Sequence, residues 1–297
     1  MTTPHITTTV TAAFTNATLP PRPAAFELLG PARTNMNAAN PQTQNVKLII
    51  VPDARAMALK GADEFEKTLR EKPNAVLGLA TGGTMESLYP EVIRRFQAGK
   101  LSFQNATTFN LDEYFPLEAE HPQSYRRFML EKLFQHVDLT LTPIEGARWG
   151  QTFVPAAADK RIGEACLSYE QAIVKAGGID LQILGIGQNG HIAFNEPGAS
   201  PWSRTRVVKL DEATRRVNAR FFGSLDEVPG YALTMGIATI LEAKRIVLFA
   251  SGAGKAAAVR AALTGPVNSA CPASYLQLHP EVTFIVDRAA AAELDLR

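Results

Sequence analysis

Cysteine is scarce: the 297-residue chain holds only Cys166 and Cys271, far apart and in no CxxC pattern. That argues against a disulfide framework and against a zinc–cysteine site. The five histidines, at positions 5, 121, 136, 191 and 279, are scattered, and no ligand spacing joins them, so no metal is expected. Neither sign of charge dominates. With 30 Lys and Arg against 29 Asp and Glu, the net charge is +1, too little for a broad grip on nucleic acid or an anionic membrane. A small anionic substrate needs only a few local cations and stays compatible. No apolar run approaches the roughly 20 residues of a membrane helix. Residues 1–45 lack the basic region and apolar core of a signal peptide. The expectation is a cytoplasmic protein with neither a membrane nor a nucleic-acid partner.

What remains is an ordinary globular composition, 46% hydrophobic and 20% charged, with one marked change along the chain. Residues 1–45 are rich in Thr, Ala, Asn and Pro without apolar periodicity, and read as a flexible N-terminal extension. From Val46 onward, buried-strand patterns alternate with amphipathic helices. Strands are expected at Lys47–Val51, Ala75–Leu79, Thr107–Leu111, Leu181–Leu184, Arg245–Ala250 and Val282–Val286. Between them, Asp53 caps a helix running to about Lys72, with Ala58, Ala62, Phe65 and Leu69 on one face. Further helices are expected after Thr84, with Pro90 kinking it or delaying its start, and at Ser124–Phe134, Ala156–Ala176 and Lys255–Leu263. Such alternation implies an α/β fold: an open, mostly parallel, doubly wound (Rossmann-like) sheet with helices on both faces, as a single domain over 46–297. Ligands of such sheets bind outside the carboxyl ends of the strands.

Several segments fall at those ends. Thr81-Gly82-Gly83-Thr84 opens a helix after a strand, so its backbone N–H groups can cradle a phosphate; an ordinary tight turn is the other reading. Ser251-Gly252-Ala253-Gly254-Lys255 repeats the arrangement with a lysine. It is not a Walker loop, because Ala256 stands where Ser or Thr would hold magnesium. Asp112, at the end of the strand Thr107–Leu111, is placed to act as a base or merely to cap a helix. Residues 185–190 match GxGxxG, but Pro197, Gly198 and Pro201 leave no room for the crossover helix of a dinucleotide site. The same stretch reads better as an acid–base group, with His191 between Asn189 and Glu196. Residues 203–222 carry six Arg and Lys; one or two could close over an anion, and the run does not say which.

Taken in order, the stretches LGLATGGT (77–84), TFNLDEY (108–114), HPQSYRRFM (121–129), GIGQNGHIAFNEPG (185–198), SRTR (203–206), VNARFF (217–222), YALTMG (231–236) and LQLHP (276–280) resemble the glucosamine-6-phosphate deaminase family from about residue 46 to 287. The resemblance implies a cofactor-free conversion of glucosamine 6-phosphate to fructose 6-phosphate and ammonia. It makes Asp112 the base at C2, and His191 the ring-opening group, oriented by Glu196 and assisted by Asn189. It gives phosphate contacts to Gly82, Gly83, Thr84, Arg220 and Lys255, with Arg220 on a mobile lid at about 200–225. It also admits a homo-oligomer, since the family includes monomers, dimers and hexamers.

Three departures from the family's pattern stand out. Asn189 replaces an Asp found in some members, which removes a charge beside His191 and shifts the expected pH profile. Ala199 and Val208 occupy two places of the allosteric cluster, while Arg206 remains, so activation by N-acetylglucosamine 6-phosphate is expected to be weak or absent. The third is Pro90. Two rivals fit less well: a 6-phosphogluconolactonase, disfavoured by Tyr114 and IAFNEP, and a non-catalytic sugar-phosphate sensor, for which residues 1–45 supply no helix-turn-helix. Glucosamine and galactosamine 6-phosphate are not distinguished by the sequence.

Overall fold

The computed structural model describes residues 6–9, 46–141, 148–155 and 161–295. The first half of the chain runs β1 (Ile6–Thr9), β2 (Val46–Val51), α1 (Ala54–Glu71), β3 (Val76–Leu79), α2 (Gly83–Gln97), β4 (Thr107–Asn110), β5 (Asp112–Phe115), α3 (Tyr125–Lys132), β6 (Arg148–Trp149), β7 (Thr152–Phe153) and α4 (Ile162–Lys175). The second half runs β8 (Leu181–Gly185), β9 (Arg206–Lys209), α5 (Glu212–Phe222), β10 (Tyr231–Thr234), α6 (Ile237–Leu241), β11 (Ile246–Ala250), α7 (Ala256–Thr264) and β12 (Val282–Asp287).

Nine strands form one sheet in the order β1-β2-β12-β11-β8-β3-β4-β7-β6. Every pairing from β2 to β7 is parallel, and only the edge strands β1 and β6 run antiparallel to their neighbours. The chain steps one way across this sheet from β3 to β4 and the other way from β8 through β11 to β12. Right-handed crossovers in opposite directions put helices on opposite faces, so the reversal between β3 and β8 makes the fold doubly wound. The strands themselves are buried almost throughout, as apolar runs covered on both faces must be.

The expected helix at Asp53 appears as α1, with the Asp53 carboxylate accepting from the Ala56 N–H at 2.8 Å. Pro90 does not delay its helix. The helix α2 begins at Gly83 and continues through Pro90, which is exposed, so water can serve the carbonyl that lacks a proline N–H partner. Part of the expected extension, Ile6–Thr9, pairs antiparallel with β2, in keeping with its β-branched residues. The remainder of residues 1–45 lies outside the described residues, as do 156–160 of the helix expected from Ala156.

A second, three-stranded antiparallel sheet, β5-β10-β9, is absent from the sequence reading. The strand expected to reach Leu111 stops at Asn110, and Asp112 opens a strand of the small sheet instead of closing one of the large. Leu111 is the joint: its N–H donates to the Leu79 carbonyl of β3 at 3.0 Å, and its own carbonyl accepts from the Met235 N–H beside β10 at 2.7 Å. The small sheet covers its own apolar cluster of Tyr114, Phe194, Leu210, Phe222, Val228 and Ala232.

Two buried carboxylates fix the parts to one another. Glu113 accepts backbone N–H groups of Tyr114, Tyr125 and Arg126, each at 2.9 Å, and so docks the start of α3 onto β5. Burial lifts its pKa to about 7 against the opposing pull of those donors. Glu170 of α4 receives the Thr205 N–H at 2.8 Å and the hydroxyls of Thr205 and Thr239, with Arg204 at 3.5 Å. It thereby holds the entry to β9 and the helix α6. Replacing Glu170 with Ala leaves the Thr205 N–H and the hydroxyls of Thr205 and Thr239 without their acceptor, while Arg204 keeps Glu242. Chemical denaturation of Glu170→Ala is expected to show a loss of about 3 kcal/mol, the cost of leaving buried donors unpaired, and a loss below about 1 kcal/mol would contradict this anchoring role.

Candidate active site

Four neighbouring strands, β11, β8, β3 and β4, end at the same edge of the sheet. The segments singled out in the sequence follow those ends: Ser251–Lys255 after β11, Gly185–His191 after β8, Thr81–Thr84 after β3 and Asp112 after β4. Parallel pairing is what gathers them, because all carboxyl ends then face one way.

After β8 the chain makes a tight loop instead of a crossover helix, and no dinucleotide turn forms. The Gly187 N–H donates to the His191 carbonyl at 2.9 Å, and the Gly190 N–H to the Gly187 carbonyl at 3.1 Å. The His191 ring lies so close over Gly187 that a Cβ there would stand 2.4 Å from ring atoms. Only glycine leaves room for the imidazole in this position. The Nδ1 atom of His191 is 3.3 Å from Glu196 Oε2, close enough for an ion pair though not aligned as a hydrogen bond.

Asn189 meets these residues differently from expectation. Its Oδ1 accepts the His191 backbone N–H at 3.2 Å, not a ring atom, and its Nδ2 donates to Glu196 Oε2 at 2.7 Å. Glu196 also accepts the hydroxyl of Thr214, a residue of α5 that the sequence reading passed over. Burial alone would raise the Glu196 carboxyl, but His191, Thr214 and Asn189 together hold it below the usual range. It is an anion fixed beside an imidazole, which suits a histidine that shuttles protons.

Asp112 is buried. Among the described residues no hydrogen bond reaches its carboxylate. Burial, and then the negative charge of Glu113, push its pKa well above the usual carboxylate range. Among the described residues no hydrogen bond or ion pair joins it to His191. Thr234 of β10 connects the two segments: it pairs across the small sheet with Asp112, and its hydroxyl accepts the Phe194 N–H at 3.2 Å. The rings of Phe194 and Tyr114 add to the link, their centroids 5.6 Å apart.

The third group is cationic. Gly82 caps α2 with φ at +90°, a left-handed conformation that favours glycine. Gly83 and Thr84 begin the first turn, where unpaired N–H groups face outward. Arg220, near the end of α5, brings Nη2 to 3.7 Å from a Cβ built on Gly83. Burial, and then the positive charge of Arg220, hold Lys255 below the ordinary lysine range. Among the described residues neither Arg220 nor Lys255 has an ion-pair partner. Two cations converging on a helix N-terminus make an anion site. The sequence could not choose Arg220 from its run of neighbours; helical position does. Its neighbours Arg215 and Arg216 are engaged, Arg215 with the carbonyls of Leu225 and Val228 and Arg216 with Glu212. Arg206 likewise donates to Asn195 Oδ1 at 2.9 Å.

Among the described residues no group of three or more His, Cys, Asp or Glu side chains could hold a metal ion, and no helix is long and apolar enough to cross a membrane.

A family profile described as glucosamine-6-phosphate isomerases/6-phosphogluconolactonase matches residues 53–285. The chain is 50% identical over 252 residues to the glucosamine-6-phosphate deaminase of Rhodopirellula baltica, covering 85% of this chain and 97% of that one. It is 49% identical over 249 residues to the corresponding deaminase of Cellvibrio japonicus, covering 84% and 92%. Among solved structures, a monomeric glucosamine-6-phosphate deaminase superposes with a TM-score of 0.79 at 46% identity, over 83% of this chain and 99% of that one. The 6-phosphogluconolactonase of Trypanosoma brucei, at 18% identity over 84% of this chain and 98% of its own, shares the fold with a TM-score of 0.63.

The cationic corner is testable with the simplest anion that fits it. Inorganic phosphate is expected to bind, and Lys255→Met to weaken that binding by about 10- to 100-fold, the worth of a hydrogen bond to a charged group. Calorimetric titration of the two proteins reads this out. Equal affinities would remove Lys255 from the site.

Proposed function

The chain belongs to the family of glucosamine-6-phosphate isomerases and 6-phosphogluconolactonases, and we propose that it converts glucosamine 6-phosphate to fructose 6-phosphate and ammonia. The observation that carries this reading is the pairing of two kinds of unsatisfied group on one sheet edge. Among the described residues no carboxylate pairs with Arg220 or Lys255, and no donor reaches the buried Asp112. A phosphorylated sugar with an acidic carbon supplies both.

The phosphate rests on the N–H groups of Gly82, Gly83 and Thr84, between Arg220 and Lys255. Held at that remote end, the sugar is oriented without any demand on the reacting carbons. The ring must open first, because C2 becomes acidic only beside a free C1 carbonyl. With the His191 Nδ1 proton turned toward Glu196, Nε2 is left to carry the proton from the anomeric hydroxyl to the ring oxygen. Asp112 then takes the C2 hydrogen, giving an enolamine. Reprotonation at C1 leaves an imine at C2, which water hydrolyses to the ketone and ammonia. Burial makes Asp112 a stronger base than a solvated carboxylate, suited to a weakly acidic C–H. C1 is reduced as C2 is oxidised within the same sugar, so this chemistry calls for no external electron carrier. A cytoplasmic location belongs to the same reading. So does the division into an N-terminal extension, 1–45, and one catalytic domain, 46–297.

Purified protein with glucosamine 6-phosphate should release ammonia and fructose 6-phosphate in equal amounts. Asp112→Asn should lower kcat by at least about 100-fold, the usual contribution of a general base. Turnover of 6-phosphogluconolactone in place of the amino sugar would move the chain to the other branch of its family.

The Asn189 departure has a signed consequence. An Asp at 189 would set a second carboxylate against Glu196, so one of the pair would keep its proton to higher pH. The acid limb of the activity profile of Asn189→Asp should therefore lie roughly one pH unit above that of the wild type. Superimposable profiles would show that the residue at 189 does not tune the acid–base group.

A further inference from the structure

Thr214 has a place that neither its sequence neighbourhood nor the acid–base loop explains. It sits in the first turn of α5, whose cap is Asp211, and its side chain is buried. A threonine there would ordinarily turn its hydroxyl back to its own helix. Instead the hydroxyl donates across to Glu196 Oε1 at 2.5 Å. The other carboxylate oxygen, Oε2, is the one that takes Asn189 Nδ2 and faces His191 Nδ1. Glu196 is thus held from two elements, by Asn189 of its own loop and by Thr214 of α5. The His191 Nδ1 atom has no aligned hydrogen-bond partner, and its ring rests on Gly187, so its orientation follows the placement of that carboxylate.

The same helix carries Arg220, six residues on, and so about 9 Å further along the axis at 1.5 Å per residue. Arg220 lies beside Gly83 and Lys255. One short, rigid helix therefore touches the anion corner at one end and the acid–base carboxylate at the other. At the helix's last residue, just past Arg220, Phe222 packs edge-on against Tyr114, with centroids 5.1 Å apart, which ties the helix to the strand bearing Asp112.

We propose that Thr214 is a positioning residue that couples capture of the substrate's phosphate by Arg220 to the orientation of His191 through Glu196. The proposal rests on the deaminase reading given above. When phosphate draws Arg220 in, α5 is fixed, the Thr214–Glu196 hydrogen bond is held, and the carboxylate presents Oε2 to His191. Without the hydroxyl, the carboxylate keeps only Asn189 and can rotate away. Thr214 touches no reacting atom, so its removal should slow the chemical step and spare substrate affinity.

The test uses full-length wild type, Thr214→Val, Thr214→Ser, Arg220→Ala and the Val/Ala double variant, with glucosamine 6-phosphate as substrate. For Thr214→Val, kcat should fall about 10- to 100-fold, the effect of losing a hydrogen bond to a charged group, while KM stays within about threefold. Its acid limb should move to higher pH, because Glu196 loses a donor that favours its charged form while His191 and Asn189 remain. Thr214→Ser, which keeps the hydroxyl, should restore both kcat and the pH profile. Losses in kcat from Thr214→Val and Arg220→Ala should be less than additive, since either breaks the same link between the bound phosphate and the Glu196 carboxylate. A Thr214→Val protein with wild-type kcat and pH profile would overturn the proposal. So would a Ser variant as impaired as the Val variant, a defect confined to KM, or strictly additive losses. Inactivity of the wild type itself would instead overturn the deaminase reading and this coupling with it.

Discussion

The site depends on one constraint, that β11, β8, β3 and β4 run parallel and side by side, so the segments following them emerge at a single edge. Reversal of chain direction between β3 and β8 opens the crevice there. Each segment then solves a local problem with its own residues. After β3 the chain starts a helix on glycines and presents bare N–H groups. After β8 it makes a glycine loop that seats an imidazole. After β4 it turns at Leu111 out of the large sheet and into the small one, carrying Asp112 into apolar surroundings. The small sheet and its aromatic cluster join the last two segments to α5.

Electrostatically the site is incomplete as it stands, and the incompleteness is selective. Elsewhere the buried charges are matched: Asp180 lies between Lys72 and Lys244, Arg95 among Asp63, Glu66 and Glu91, and Glu170 among its donors and Arg204. At the sheet edge Asp112 has no donor, and Arg220 and Lys255 repel each other across an open corner. Unpaired buried charge is costly to fold. A buried carboxylate and a half-buried lysine held beside another cation place that cost where a ligand can relieve it.

Much of this was legible in the sequence because it depends on local pattern. Apolar runs of four to six residues located six of the large sheet's nine strands to within a residue or two, while the short β1, β6 and β7 offer no such run. Glycines after strands marked the loops, and the residues His191, Asn189 and Glu196 do meet in space. The small sheet was not legible, because β5 follows β4 after a single residue and the sheet's other strands, β9 and β10, lie about 90 and 120 positions away. Thr214 was hidden for a related reason. It lies 18 residues from Glu196 on a helix whose arginines draw the reading, and a threonine there carries no pattern. The start of α2 does not depend on Pro90, which lies on the helix's exposed side where water can serve the freed carbonyl. The Asn189 side chain meets the backbone of His191 and the carboxylate of Glu196, a detail that depends on side-chain direction and not on spacing.

The central claim is that this edge moves a proton between neighbouring carbons of a phosphate-anchored amino sugar, with Asp112 as the base. Nuclear magnetic resonance of glucosamine 6-phosphate turning over in heavy water tests it most directly. The account predicts loss of the C2 hydrogen, fructose 6-phosphate carrying deuterium at C1 to the extent that Asp112 exchanges with solvent, and neither change with Asp112→Asn. Product formed at the wild-type rate by Asp112→Asn, or turnover to a product that keeps its C2 hydrogen and so is not fructose 6-phosphate, would contradict it.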